Sequence, residues 1–108
     1  MPKNILVLAG SPRLQGNSDM LADAFMEGAR MNGNIVSKIN VARYKISGCI
    51  DCQYCFSHEG KCVHRDGMDE IYPRLEAAEV LVFATPVYFF GFSSQLKCVI
   101  DRFYAKAL

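Results

Sequence analysis

Ile5-Leu6-Val7-Leu8-Ala9-Gly10-Ser11-Pro12-Arg13-Leu14-Gln15-Gly16-Asn17-Ser18 joins an unbroken apolar run to a glycine-bounded polar loop and the start of a helical pattern. Five consecutive apolar residues suit a parallel strand buried on both faces better than a half-exposed one. From Ser18 onward Leu21, Phe25 and Ala29 recur at i, i+4 and i+8, with Gly33 placed to terminate the helix. Strand, tight loop and helix in succession form the unit from which parallel α/β sheets are built.

The alternation continues along the chain. Residues 35–41 place Ile35, Ile39 and Val41 around polar Ser37 and Asn40, a weaker strand signal that suits a sheet edge. Residues 44–67 show no clean period and hold four cysteines and both histidines, which reads as a long functional loop. Asp66 is placed to cap a helix carrying Met68, Ile71, Leu75 and Ala78. Pro73 removes one of its backbone bonds, so a kink or a short 3₁₀ start is expected. Residues 80–85 form a second wholly apolar strand, and after the loop 86–92 either Ser93 or Ser94 caps a helix with Leu96, Val99, Ile100 and Phe103 on one face. The order β-α-β-loop-α-β-α predicts a parallel sheet with right-handed crossovers. Ligands of such sheets bind beyond the carboxyl ends of the strands, here between the loops that follow Gly10 and Thr85.

Composition sets limits on partners. The 108 residues are 51% apolar and 21% charged, which describes one globular domain spanning 1–108. A net charge of +1 supplies no field that would gather nucleic acid or anionic lipid, so an acidic ligand must be held by local groups. The apolar run 5–9 is shorter than a signal-peptide core, and no run approaches the roughly 18 residues of a membrane span. The expectation is a cytoplasmic protein with neither a nucleic-acid nor a membrane partner. In a reducing compartment clustered cysteines point to metal or redox chemistry.

The loop 10–18 offers a phosphate several donors at once. These are unpaired N–H groups at a helix N-terminus, the Ser11 and Ser18 hydroxyls, the Asn17 amide and the Arg13 guanidinium. The pattern is neither G-x-G-x-x-G nor a P-loop, and read alone it is equally an ordinary βα connection. The later loop Pro86-Val87-Tyr88-Phe89-Phe90-Gly91 supplies aromatic surface and a glycine for close approach, as a flat ring system requires. Of these aromatics Tyr88 reads as a ring contact, whereas Phe90 and Phe92 read as core or interface residues.

Gly10-Ser11-Pro12-Arg13 with Gly16-Asn17-Ser18, then Thr85-Pro86-Val87-Tyr88-Phe89 with Gly91, then Gln95-Leu96-Lys97 and Asp101-Arg102 resemble the NAD(P)H-dependent FMN reductases of the flavodoxin-like superfamily. The resemblance runs in register over nearly the whole chain. It implies a three-layer αβα flavodoxin-like fold with strand order 2-1-3, strands 4 and 5 being absent. It implies that FMN phosphate lies on Ser11, Arg13, Asn17 and Ser18, and that the isoalloxazine packs on Pro86, Val87, Tyr88, Phe89 and Gly91. NAD(P)H is then the hydride donor, and a small molecule or redox protein the electron acceptor.

Cys49-x2-Cys52-x2-Cys55-x6-Cys62 lies in the cysteine-rich loop 48–66. Three cysteines at three-residue intervals in irregular backbone, with a fourth after a turn at Gly60, are the kind of run that iron–sulfur sites use. The spacing also resembles that of the iron–sulfur flavoproteins, a branch of the same family, which implies a [4Fe-4S] cluster beside FMN. Zinc is a competing reading, although its sites usually pair two knuckles across a longer spacer. Free thiols without metal are another. Cys98 lies beside the apolar stripe of the last helix and reads as a buried small hydrophobe. His58 and His64 read as loop residues without ligand spacing, and no acid–base pair marks a hydrolase.

Three functions stay open at this point: an NAD(P)H-dependent FMN reductase that passes electrons to a cluster, a non-catalytic flavodoxin-type carrier, and a metal-binding or interaction module without flavin. Five βα units need about 150 residues at roughly 30 each, so 108 residues make about three. The strand 80–85 would then be an uncovered apolar edge. The expectation is a fragment, or a homo-oligomer in which a second copy covers that edge.

Overall fold

The computed structural model of the chain describes residues 2–106. The elements run β1 (Asn4–Ala9), α1 (Asn17–Met31), β2 (Ile35–Asn40), α2 (Met68–Ala77), β3 (Val80–Ala84) and α3 (Ser94–Asp101), with 3₁₀ turns at Val41–Arg43, Tyr54–Ser57 and Arg102–Lys106. The sheet order is β2-β1-β3 and both pairings are parallel. Leu6 of β1 thus lies between Ser37 and Leu81.

Alternation along β1 builds the two halves of the core. Leu6 and Leu8 point to the side of α2 and α3, where they meet Ile39, Met68, Ile71, Leu96 and Val99. Ile5 and Val7 point the other way onto Ala22 and Met26 of α1, with Val36 beside them. Helices cover both faces, which is the expected three-layer flavodoxin-like arrangement and explains why β1 carries no polar residue from Ile5 to Ala9. Each such aliphatic side chain contributes roughly 1.5–3 kcal/mol when fully buried.

Several expectations are corrected. The buried stripe of α1 is Asp19, Ala22 and Met26, one position on from the predicted face. Leu21 is 71% and Phe25 42% exposed, and both line an open groove with Val82, Phe83 and Ala84 of β3. β2 ends at Asn40, and Val41 opens a 3₁₀ turn while staying buried. The last helix buries Leu96, Val99, Arg102 and Ala105, a spacing of three that continues into the 3₁₀ turn, whereas Ile100 and Phe103 are only half-buried. Cys98 is half-buried rather than buried.

Other expectations hold. Asp66 Oδ1 bonds the start of α2, accepting from Met68 N–H at 3.1 Å, although the N-cap residue itself is Gly67, and Pro73 is accommodated inside that helix. Ser93 Oγ accepts from Leu96 N–H at 3.3 Å and caps α3. Gly33 closes α1 at φ +83°. β3 is an apolar edge: Val80, Leu81 and Phe83 are 37%, 39% and 46% exposed, and among the described residues no strand pairs with its outer side. No helix of the described residues is long and apolar enough to cross a membrane.

Candidate functional site

The parallel pairing of β1 with β3 brings the two predicted loops side by side. Gly10 N–H donates to the Ala84 carbonyl at 2.7 Å, which fixes the start of loop 10–16 beside the start of loop 85–92. Ser93 then ties both to α3. Its hydroxyl, fully buried, donates to the Gly10 carbonyl at 2.5 Å, and its N–H donates to Thr85 Oγ1 at 3.0 Å. A Cβ at Gly10 would lie 2.8 Å from both Leu96 Cβ and Ser93 Oγ, so glycine is required for this close approach of strand to helix.

The first loop presents an uncapped helix N-terminus. No side chain caps α1 at Gly16, so its first turn offers backbone N–H groups at the positive end of the helix dipole. Arg13 is exposed beside it and, among the described residues, forms no salt bridge. Asn17 is exposed and Ser18 half-buried at the same end. Ser11 lies at the start of the loop. Its buried hydroxyl donates to the Arg13 carbonyl at 3.0 Å and accepts from Arg13 N–H at 3.1 Å, so it shapes the loop that presents Arg13. Asp19, absent from the sequence-based candidates, accepts from Gln15 N–H at 2.9 Å and from Lys38 Nζ at 2.7 Å. The Lys38 hydrogen bond, reinforced by that of Gln15, holds its carboxyl below the ordinary value. Lys38 reaches from β2 and is shared between Asp19 and Asp23, to the latter of which its Nζ donates at 2.6 Å, so Asp19 braces the loop through Gln15 and is tied to β2. An uncapped helix end with a free guanidinium fits a phosphate dianion.

The second loop is a two-residue hairpin. Tyr88 N–H donates to the Gly91 carbonyl at 2.8 Å and Gly91 N–H returns the bond to Tyr88 at 3.0 Å. Phe89 and Phe90 occupy its tip at φ 44° and 68°, both positive, the backbone that type I′ turns demand and that Asn-Gly normally supplies. Both rings are 95% exposed and meet edge to face at 5.4 Å, so Phe90 is not a core residue. Phe92 is 44% exposed. Pro86 is half-buried and Val87 and Tyr88 are exposed, leaving an apolar surface next to the first loop.

The cysteines gather elsewhere, beneath the turn that follows α3. Cys49, Cys52, Cys55 and Cys62 line one small cleft with His64, Arg102 and Tyr104. Asp51 and Gln53 take positive φ of 55° and 62°, which lets the backbone turn sharply around Cys52. Gly60 at φ +78° closes the loop through its N–H bond to the Cys55 carbonyl, and Phe56 packs on Tyr104 at 5.3 Å. The loop is anchored at both ends by Asp66, whose Oδ2 accepts from Ser47 N–H at 3.0 Å and from Arg102 Nη1 at 2.7 Å. Burial pushes the Asp66 carboxyl up, but the bonds from Arg102, Ser47 and Met68 outweigh it and hold it below its ordinary value.

Four thiols facing one cleft are a donor set suited to iron–sulfur or zinc chemistry. They do not converge, however: among the described residues no three His, Cys, Asp or Glu side chains reach a common metal-holding geometry. The cleft between them holds about 20 Å³, and Cys49 and Cys52 lie exposed at its rim. His58 stays outside, stacked on Tyr54 at 3.5 Å. His64 and Arg102 were missed as cleft residues by the sequence reading. The signal for Arg102 was its spacing, three residues beyond Val99 and six beyond Leu96 on a buried stripe.

Comparison with known proteins shows the family and the fold. An iron–sulfur flavoprotein of Archaeoglobus fulgidus is 36% identical over 95 residues, 88% of this chain and 43% of its own length. One of Methanocaldococcus jannaschii is 36% identical over 95 residues, 88% of this chain and 48% of its own length. The chain thus spans about half the length of these relatives. A solved NAD(P)H:quinone oxidoreductase from Methanothermobacter marburgensis superposes with a TM-score of 0.75 at 19% identity, over 96% of this chain and 54% of its own, which establishes the fold. The family model for NADPH-dependent FMN reductase matches residues 3–108. Its coverage of both loops and the cysteine segment settles the assignment: the chain belongs to the NADPH-dependent FMN reductase family.

Proposed function

We propose that this chain is the FMN-binding part of a flavoprotein oxidoreductase that takes electrons from NAD(P)H and passes them to a [4Fe-4S] centre on the cysteine loop. The observation that carries the reading is the adjacency, across the β1–β3 pairing, of an uncapped helix N-terminus with a free Arg13 and an exposed aromatic hairpin. Arg13, with the N–H groups of the first turn of α1, Asn17 and Ser18, would hold the phosphate. Pro86, Val87, Tyr88 and Phe89 would pack on the ring, and Gly91 leaves room for its edge. FMN, when bound, supplies hydride acceptance and release of single electrons, which lets a two-electron donor serve a one-electron acceptor. Cys49, Cys52, Cys55 and Cys62 would hold the cluster.

The phosphate assignment is tested with Arg13→Ala. A charge-assisted hydrogen bond is worth about 1.5–3 kcal/mol, so fluorescence-quenching titration should show FMN binding roughly 10- to 150-fold weaker than in the unmodified chain. Unchanged affinity would remove Arg13 from the site. Because the residue is exposed and outside the core, thermal stability should move by less than about 0.5 kcal/mol.

A further inference from the structure

Arg102 holds more hydrogen-bonding capacity than its ion pair uses. The residue is 1% exposed. Its Nη1 donates to Asp66 Oδ2 at 2.7 Å and to the Ser47 carbonyl at 2.9 Å. Its Nε and Nη2, which share the opposite edge of the guanidinium, are buried and have no hydrogen-bond partner among the described residues. That edge is the one through which arginine makes paired parallel hydrogen bonds. His64 Nε2 is orphaned in the same way. Both residues line the cleft of the four cysteines, and Arg102 is the one cationic side chain among its lining residues. Leaving a charged donor unmade in the interior is costly, so orphaned donors beside a cluster of thiols call for an anionic acceptor there.

We propose that Arg102 is a positioning residue for the four-cysteine centre, donating from Nε and Nη2 to its sulfur atoms and raising its affinity for an electron. The inference rests on the iron–sulfur reading above. Reduction adds one negative charge to a centre whose thiolates already make it anionic. A fixed cation and N–H···S bonds stabilise the reduced form more than the oxidised one, and net charge and hydrogen bonds to sulfur are among the determinants of cluster potentials. Arginine stays protonated at any working pH, so its contribution does not switch off. Asp66 orients the guanidinium by occupying Nη1, which leaves Nε and Nη2 without a hydrogen-bond partner among the described residues in a side chain that lines the cysteine cleft.

The test uses the full chain as purified anaerobically, with iron and acid-labile sulfide per chain and the midpoint potential as readouts. Arg102→Met combined with Asp66→Asn removes the cation without stranding its carboxylate, and Arg102→Lys keeps the charge. The double variant should bind the electron at least tenfold less tightly, a midpoint lower by about 59 mV or more for one electron, while Arg102→Lys stays nearer the unmodified value. A loss of iron and sulfide in the double variant that Arg102→Lys restores would equally support the role. Full loading with an unchanged midpoint would overturn it, as would a loss of cluster or fold that Arg102→Lys does not restore. Absence of iron and sulfide from the unmodified chain would instead overturn the cluster reading itself, and this inference with it.

Discussion

Arg102→Met alone is expected to destabilise the fold by about 3–5 kcal/mol at neutral pH, because it leaves a buried carboxylate without its cation. The pair is well desolvated: the side chains of Arg102 and Asp66 are 1% and 12% exposed. Its loss also removes the bond to the Ser47 carbonyl, where the cysteine loop begins, and leaves that segment held to Asp66 through the Ser47 N–H alone. The effect has a defined pH dependence. Asp66 titrates below its ordinary value in the folded chain, so its contribution is fully present above the unfolded carboxylate pKa of about 3.9. It is lost as pH falls through the depressed folded value. The cost of Arg102→Met should therefore shrink in acid. Urea denaturation at pH 7 and near pH 3 checks this, and an equal cost at both would show that the ion pair is not the source.

Phe89→Asn with Phe90→Gly is expected to act in the opposite direction on stability. Two non-glycine residues at positive φ each carry about 1–2 kcal/mol of steric cost. The edge-to-face contact they form returns about 0.5–1.5 kcal/mol. Strain wins, and the variant should gain about 1–2 kcal/mol, a rise in Tm of roughly 5–15 °C for a domain of this size. Its affinity for FMN should fall at the same time by about threefold to tenfold, since the ring loses aromatic surface. Strain that persists at a loop tip invites a functional reason, and opposite signs in the two measurements are what that reason predicts. A variant that is both more stable and equally tight for FMN would remove the hairpin tip from the ring site.

The sequence was most legible where one element meets a single environment. β1 is apolar at every position from Ile5 to Ala9 because helices cover both of its faces, and its reading as a central strand follows from that pattern. The run in β3 looks the same and is largely exposed, because apolarity reports what a strand can bury and not what lies against it. The same ambiguity displaced the face of α1. Leu21 with Phe25 and Ala22 with Met26 both have helical spacing, and only the side from which β1 presents Ile5 and Val7 decides between them. In the site, Arg13, Asn17 and Ser18 lie together as the loop pattern implies, since they are close in sequence. Ser11 turned inward because its hydroxyl satisfies the Arg13 backbone. The spacing of Arg102 on the stripe of Leu96 and Val99 signals its burial, but that the cysteine cleft lies against it, and that His64 joins it there, follows from tertiary packing.

The anaerobic absorption spectrum of the purified chain reconstituted with FMN tests the whole account most directly. The account predicts flavin bands over a broad iron–sulfur absorption, both bleached by NAD(P)H, with flavin fluorescence quenched by the protein. A chain that shows neither flavin absorption nor quenching after reconstitution contradicts it.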